Sequence, residues 1–137
     1  MSLFDSHSHL NDEKFDEDRD KIIKEIYESG VTNFITAGYS VESSKKAIEI
    51  SEKYDFIYTT AGVSPNDIPQ TEEELCKQLN EIEEIAKNNN KVVAIGEIGL
   101  DYYWNTDNKE LQKKAFIEQI KIANKCGLPI VIHTRDA

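Results

Sequence analysis

Short apolar runs alternate along the chain with longer amphipathic segments, repeating about every thirty residues. The fourth apolar run contains no polar residue, which is typical of a parallel strand buried on both faces. Alternating strands and helices predict a parallel sheet whose strands are joined by right-handed helical crossovers. The predicted strands are Leu3–His9, Asn33–Ala37, Phe56–Val63, Val92–Ile95 and Pro129–Ile132.

Four segments between the strands predict helices, because their apolar residues recur at helical spacing. Gly30 and Gly127 stand where C-terminal caps are expected. Thr71 and Glu74 form a predicted capping box at the start of the third helix, and the second helix is expected at about Glu42–Lys53. In the first helix the residues at helical spacing are Ile22, Ile23, Ile26 and Tyr27, and in the third Leu75, Leu79, Ile82 and Ala86 share one face. The predicted inward residues of the fourth helix are Leu111, Ala115, Phe116, Ile120 and Ala123.

Two α/β architectures fit this order of elements, an open doubly wound sheet and a TIM (β/α)8 barrel. No phosphate-binding glycine fingerprint follows the first strand, which weakens the doubly wound alternative. Polar residues at the predicted strand ends favour the barrel, whose active sites lie on that rim. A closed barrel has eight strand–helix pairs in about 250 residues. We therefore expect residues 1–137 to be a single domain forming the N-terminal portion of such a barrel, with five strands and four helices.

All three histidines, together with one glutamate, fall at predicted C-terminal ends of strands. His7 and His9 are two residues apart, so both project from the same face of a strand. Two imidazoles can ligate one ion, and Glu97 and His133 would extend the ligand set. Each residue alone has a structural alternative, such as a salt-bridged acid or a core histidine. Ionisable groups at three strand ends are costly to bury unless they are paired or bind metal, so we predict a metal site.

Three charged residues near these positions have two interpretations each. Asp5 and Asp101 could hydrogen-bond to a ligating imidazole, or they could be acids paired elsewhere. Arg135 could hold a phosphate oxygen of a substrate, or it could form a surface pair with Asp136.

Three consecutive aromatic residues, Tyr102, Tyr103 and Trp104, follow the fourth strand beside the predicted site. Packing beneath a loop is the expected explanation for this cluster. The alternative is that the rings stack on nucleobases.

The net charge of −10 excludes a protein that holds nucleic acid by charge alone. An acidic enzyme can still act on phosphodiesters when divalent metals supply the positive charge. No apolar run approaches the ~20 residues of a membrane span, and the N-terminus lacks a signal-peptide pattern. The two cysteines have no metal-type spacing, and a disulfide framework is not expected. We therefore expect a cytoplasmic protein without a membrane partner.

Three motifs in register resemble the TatD-type metal-dependent deoxyribonucleases: Phe4–Leu10, Gly96–Tyr102 and Ile132–Ala137. Gln112, Phe116 and Leu128–Ile130 also resemble that family's segment before the last motif. The resemblance implies an amidohydrolase-like barrel, one or two divalent ions (Mg²⁺, Mn²⁺ or Zn²⁺) and hydrolysis of DNA phosphodiesters. It also implies that the metal ligands are His7, His9, Glu97 and His133.

The chain departs from this family in one motif and leaves the catalytic base unassigned. Where the family typically has Gly-x-His-Pro-His, residues 62–66 read Gly-Val-Ser-Pro-Asn, and Ser64 and Asn66 are poor metal ligands. The family's further histidine and its aspartate general base are expected after residue 137. The chain would then be part of a longer protein, and its open sheet edges would favour self-association of the fragment.

Two other functions stay open at this point. One is a metal-dependent hydrolase of a small-molecule ester, amide or phosphate on the same scaffold. Relatives of that type commonly place a carboxylated lysine at the fourth strand, so Glu97 favours the nuclease. The other is an inactive fragment that binds metal weakly.

Overall fold

The computed structural model describes residues 1–137, in which five strands alternate with four α-helices and a short 3-10 turn follows the first strand. The strands are β1 Leu3–Ser8, β2 Val31–Thr36, β3 Ile57–Ala61, β4 Val92–Asp101 and β5 Ile130–Arg135. The helices are α1 Arg19–Glu28, α2 Val41–Glu52, α3 Glu72–Asn88 and α4 Lys109–Cys126, with the 3-10 turn at Glu13–Phe15.

The strands form one parallel sheet in the order β1-β2-β3-β4-β5. A doubly wound sheet reverses its strand order at a switch point, whereas a barrel adds each new strand beside the last. The observed order has no reversal. The prediction of the first five strands and four helices of a (β/α)8 barrel is therefore confirmed.

β4 and β5 are longer than their apolar runs. β4 continues to Asp101, and β5 continues to Arg135. Glu97 and His133 consequently lie within strands, which corrects the expectation that they follow strand ends. The added residues stay in the ladder, where Gly99 pairs with His133. The apolar pattern stops earlier because side chains beyond Ile95 include the polar groups of the rim.

Two apolar clusters hold the helices against the sheet. The inward face predicted for α3 is confirmed, since Leu75, Leu79, Ile82 and Ala86 are all buried. These residues belong to the larger cluster, which joins α3 and α4 to β4. Complete burial of one such side chain contributes about 1.5–3 kcal/mol relative to exposure. A smaller cluster lies under α1 and α2, comprising Leu10, Ile23, Phe34, Ile50 and Ile57.

The buried face of α4 differs from the predicted one. Ala115 and Ala123 are buried as expected, but Leu111, Phe116 and Ile120 are only partly buried. Gln112, Gln119 and Ile122 take the remaining buried positions of this helix. The two glutamines are tolerated there because each is hydrogen-bonded to backbone groups of the sheet edge, which removes the cost of burying an amide.

Helix ends follow the sequence signals with one difference. Gly30 and Gly127 adopt positive φ angles of 104° and 67°, as expected next to helix C-termini. Thr71 caps α3 by accepting a bond from the Glu74 backbone N–H, but the reciprocal half of the predicted capping box is not formed. No helix combines the length and the apolar character needed to cross a membrane.

Candidate metal centre

His7, His9 and Glu97 converge at the carboxyl ends of β1 and β4. His7 lies near the end of β1, and His9 follows it. The Nε2 atoms of the two histidines are 3.2 Å apart. The Oε2 atom of Glu97 lies 3.1 Å from Nε2 of His7 and 3.4 Å from Nε2 of His9. Residues 90 positions apart in the chain thus present their donor atoms to one small volume.

This donor set fits a divalent ion. Ligand atoms about 2 Å from a zinc-sized ion stand roughly 3 Å apart in a tetrahedral site, and the three pairs of donors are 3.1–3.4 Å apart. Two imidazole nitrogens and a carboxylate oxygen are also the donor types that zinc and manganese accept. With one ligand atom taken from each of the three residues, these atoms all lie within 4.8 Å of one another.

His133 approaches the other oxygen of the same carboxylate. Its Nδ1 atom lies 2.9 Å from Oε1 of Glu97. β5 is hydrogen-bonded to β4, and this pairing places His133 opposite Gly99. Glu97 therefore has one oxygen toward His7 and His9 and the other toward His133. A carboxylate in this position can bridge two neighbouring cations.

Hydrogen bonding keeps the central carboxylate ionised. Its interaction with His9 holds the pKa of Glu97 below its usual value, against the opposite effect of burial. The same contact raises the pKa of His9. Glu97 is 9% exposed, so its charge has little access to water. A carboxylate must be deprotonated to bind a metal, and the structure favours that form.

Asp101 lies behind His133. Its Oδ2 atom is 2.7 Å from Nε2 of His133 and accepts a bond of 3.0 Å from the side-chain amide of Asn66. Its Oδ1 atom accepts the backbone N–H of Tyr103. Complete burial would raise the pKa of Asp101, but bonds from Asn66, His133 and Tyr103 lower it to about 2. Because this ionised carboxylate is hydrogen-bonded to Nε2 of His133, Nδ1 is the nitrogen that faces Glu97.

Sequence reasoning did not identify the role of Asn66. It treated this residue as a departure from the Gly-x-His-Pro-His motif. In the structure Asn66 joins the β3–α3 loop to Asp101 at the end of β4. No local signal marks this contact, because the partners are 35 residues apart.

Asp5 does not contact an imidazole, and Arg135 does not form the surface pair with Asp136. The Asp5 side chain is exposed and accepts the backbone N–H of His7 at 3.0 Å, rather than an imidazole N–H. Arg135 makes no salt bridge with Asp136 or with any other acid. Its guanidinium lies 5.3 Å from the ring centre of Tyr103. Arg135 therefore presents an unpaired positive charge at the rim.

The aromatic residues after β4 do not pack beneath a loop, so that expectation is wrong. Tyr103 is 58% exposed and Trp104 is 69% exposed. Tyr102 is partly covered, with the ammonium of Lys109 4.4 Å from its ring centre. The turn that follows Asp101 holds these rings on the surface beside the candidate metal centre.

Comparisons with known proteins agree with this geometry. The family model described as "TatD related DNase" matches residues 4–137. An uncharacterized metal-dependent hydrolase, YabD of Bacillus subtilis, is 43% identical over 98% of this chain and 51% of its own length. A 3'-5' ssDNA/RNA exonuclease TatD of Cronobacter sakazakii is 36% identical over 98% and 50%, respectively. The chain thus spans about half the length of the curated relatives it matches.

Solved structures give the same result. YjjV, a TatD homologue from Escherichia coli, superposes with a TM-score of 0.85 at 26% identity, covering 98% of this chain and 51% of that one. A TatD family hydrolase from Entamoeba histolytica has a TM-score of 0.85 at 30% identity, with coverage of 99% and 50%. Because the family model matches nearly every residue of the chain, the chain belongs to the TatD-related DNase family.

Proposed function

We propose that this chain supplies most of the metal ligands of a divalent-metal-dependent nuclease that hydrolyses DNA phosphodiester bonds. The observation that carries the proposal is the Glu97 carboxylate, with two imidazoles at one oxygen and a third at the other. The exonuclease name of several relatives supports DNA as the substrate. The ligands would be His7, His9, Glu97 and His133, holding one or two ions such as Mg²⁺, Mn²⁺ or Zn²⁺.

The ion would supply positive charge that lowers the pKa of water and offsets the charge developing on phosphate oxygens. The protein's own contribution is to hold the ligands in place. His7 and His9 are fixed by β1, and Glu97 is fixed by β4. Asp101 holds His133 with Nδ1 toward Glu97. Carboxylates that orient a ligating histidine in this way typically affect metal affinity by about 10–100-fold.

We assign no general base among residues 1–137. A further carboxylate, Asp101, contacts the candidate ligand His133, but both of its oxygens accept hydrogen bonds and its pKa is about 2. An effective general base has a pKa close to the working pH. Asp101 is therefore a positioning residue in this proposal.

Metal titration of the chain by calorimetry tests the ligand set. We expect saturable binding of Mn²⁺ or Zn²⁺ by the wild-type chain and binding weakened by about 10-fold or more in Glu97→Gln. The control is Glu28→Gln, because Glu28 is an exposed residue at the end of α1. Equal affinity in Glu97→Gln and wild type would contradict the assignment.

Cleavage of a labelled single-stranded oligodeoxynucleotide by the full-length protein, with added Mg²⁺ or Mn²⁺ and with excess chelator, tests the reaction. The proposal expects cleavage that needs metal and is abolished in Glu97→Gln. Metal binding by the full-length protein without cleavage of DNA would leave the metal centre intact and overturn the nuclease assignment. We further propose a cytoplasmic location, because both cysteines are free, as is usual in a reducing compartment.

A second candidate is a metal-dependent hydrolase of a small ester, amide or phosphate at the same centre. The name of the relative that is 43% identical fits it equally well, since that name gives metal-dependent hydrolysis and no substrate. A panel of small esters, amides and phosphomonoesters separates the two functions, because a nuclease of this kind should leave the panel unchanged.

A further inference from the structure

Two exposed aromatic rings stand beside the candidate metal centre. Tyr103 and Trp104 meet edge to face, with ring centres 4.7 Å apart and planes at 88°. In this arrangement the edge of one ring meets a face of the other, and both side chains remain more than half exposed. Exposing a tryptophan to this extent leaves apolar surface in water that a bound molecule could cover.

The rings are held at a fixed position relative to the centre. The Tyr103 backbone N–H donates to Asp101, which in turn contacts His133. On the adjacent strand, the Arg135 backbone carbonyl accepts the Tyr102 N–H at 2.9 Å. Tyr103 is thus two residues from Asp101, and Asp101 contacts the candidate ligand His133.

Two cations lie over the tyrosine rings although the chain is acidic. Arg135 lies over Tyr103, and Lys109 lies over Tyr102. Neither cation makes a salt bridge, whereas the other arginine of the chain, Arg19, is paired with Asp16. With a net charge of −10, the protein has few free cations, and two of them are at this edge of the site.

A groove of about 650 Å³ adjoins the rings, between the β3–α3 and β4–α4 loops. Trp104 forms part of one wall and Asn66 part of the other. Asn66 also donates to Asp101, which contacts His133, so one wall of the groove is linked to a candidate ligand through two hydrogen bonds.

We propose that Tyr103 and Trp104 form a stacking platform for the bases of a single-stranded nucleic acid, with Arg135 contacting its phosphates. The proposal rests on the nuclease function above and names how the strand would be held. Two rings bury at most roughly 500 Å², whereas a stable protein partner needs about 800 Å² per side. Base faces, in contrast, match single rings, and phosphates complement the unpaired guanidinium.

The platform explains how an acidic chain can retain a polyanion. Charge alone gives little affinity here, because the net charge repels phosphates. Stacking does not depend on charge and is tolerant of base identity. Bases inside a duplex are already stacked on each other, so the platform is specific for single strands or unpaired ends.

Trp104 is the only tryptophan of the chain, so its fluorescence reports the platform directly. The experiment titrates the metal-free chain with a 12-nucleotide oligo(dT) in excess chelator, at low salt. We expect saturable quenching of Trp104. Tyr103→Leu should weaken the binding by about 5-fold to 100-fold, and Tyr103→Phe should restore it, because phenylalanine keeps the ring.

Two controls make the result specific. Tyr27→Leu removes another exposed tyrosine, 44% exposed on α1, and should leave the titration unchanged. An abasic oligonucleotide of equal length keeps the phosphates but offers no rings. Equal quenching by the abasic strand, or no quenching by oligo(dT), would overturn the platform.

Failure of the platform and failure of the nuclease are distinguishable. The fluorescence titration contains no metal and no cleavage, so it does not depend on catalysis. Metal-dependent cleavage without quenching would overturn the platform alone. Quenching that meets the controls, without cleavage under any metal, would overturn the nuclease alone.

Discussion

Replacing Gln112 with leucine should destabilise the protein more than the similar size of the two side chains suggests. The side-chain amide of Gln112 forms a pair of hydrogen bonds with the backbone of Asp101. Its Oε1 atom accepts the Asp101 N–H at 2.8 Å, and its Nε2 donates to the Asp101 carbonyl at 2.8 Å. Leucine has a similar volume but can make neither bond.

The cost follows from the burial of both partners. Gln112 is 1% exposed and Asp101 is 0% exposed, so water cannot replace the lost bonds. Each orphaned backbone group costs about 1–3 kcal/mol. The buried leucine recovers roughly 1–2 kcal/mol through its greater apolar surface. We expect a net loss of roughly 2–3 kcal/mol, a large part of the ~5–15 kcal/mol typical of a folded domain.

Urea unfolding followed by circular dichroism measures this loss. With a slope of about 1–3 kcal/mol per molar urea, the midpoint should fall by about 1 M or more. Gln78→Leu is the matched control, since Gln78 lies on α3, is partly exposed and makes no side-chain hydrogen bond. A midpoint shift for Gln112→Leu no larger than that of the control would refute the reasoning.

Three further outcomes follow from single contacts. Gly99→Ala should lower the melting temperature, because φ is +148° and a Cβ would lie 1.9 Å from the His133 carbonyl oxygen; an unchanged Tm would contradict this. Tyr54 donates a hydrogen bond to Asp20, and this bond raises the pKa of Tyr54 to about 12. The stabilisation from the bond is complete below pH 10 and is lost as the pH rises through that pKa. Asp20→Asn should lower the pKa of Tyr54 in an ultraviolet titration. Ile132 is 53% exposed on edge strand β5, so the chain should self-associate in light scattering, and Ile132→Lys should reduce this.

The order of the elements was readable from the sequence because it depends on local periodicity. Apolar residues repeating at helical spacing predicted the buried face of α3, and the apolar run from Val92 predicted β4. For α4, the helical spacing of apolar residues predicted only part of the buried face. Hydrophobicity cannot predict that Gln112 and Gln119 are buried, since their burial depends on backbone partners contributed by other elements.

The candidate site was predictable only as a set of residue types. The sequence indicates four candidate ligands, because ionisable groups follow or interrupt its apolar runs at His7, His9, Glu97 and His133. Their distances are visible only in the tertiary structure, where Glu97 of β4 lies between the two imidazoles at the end of β1 and the single imidazole of β5.

The parallel α/β architecture and the donor atoms available to a metal follow from the amino-acid sequence alone. The support of His133 by Asn66 and Asp101, and the exposure of Tyr103 and Trp104 to solvent, are visible only in the folded chain. Hydrophobic periodicity depends on neighbours within one helix or strand, whereas hydrogen-bond partners and surface exposure are set by the packing of segments far apart in the chain.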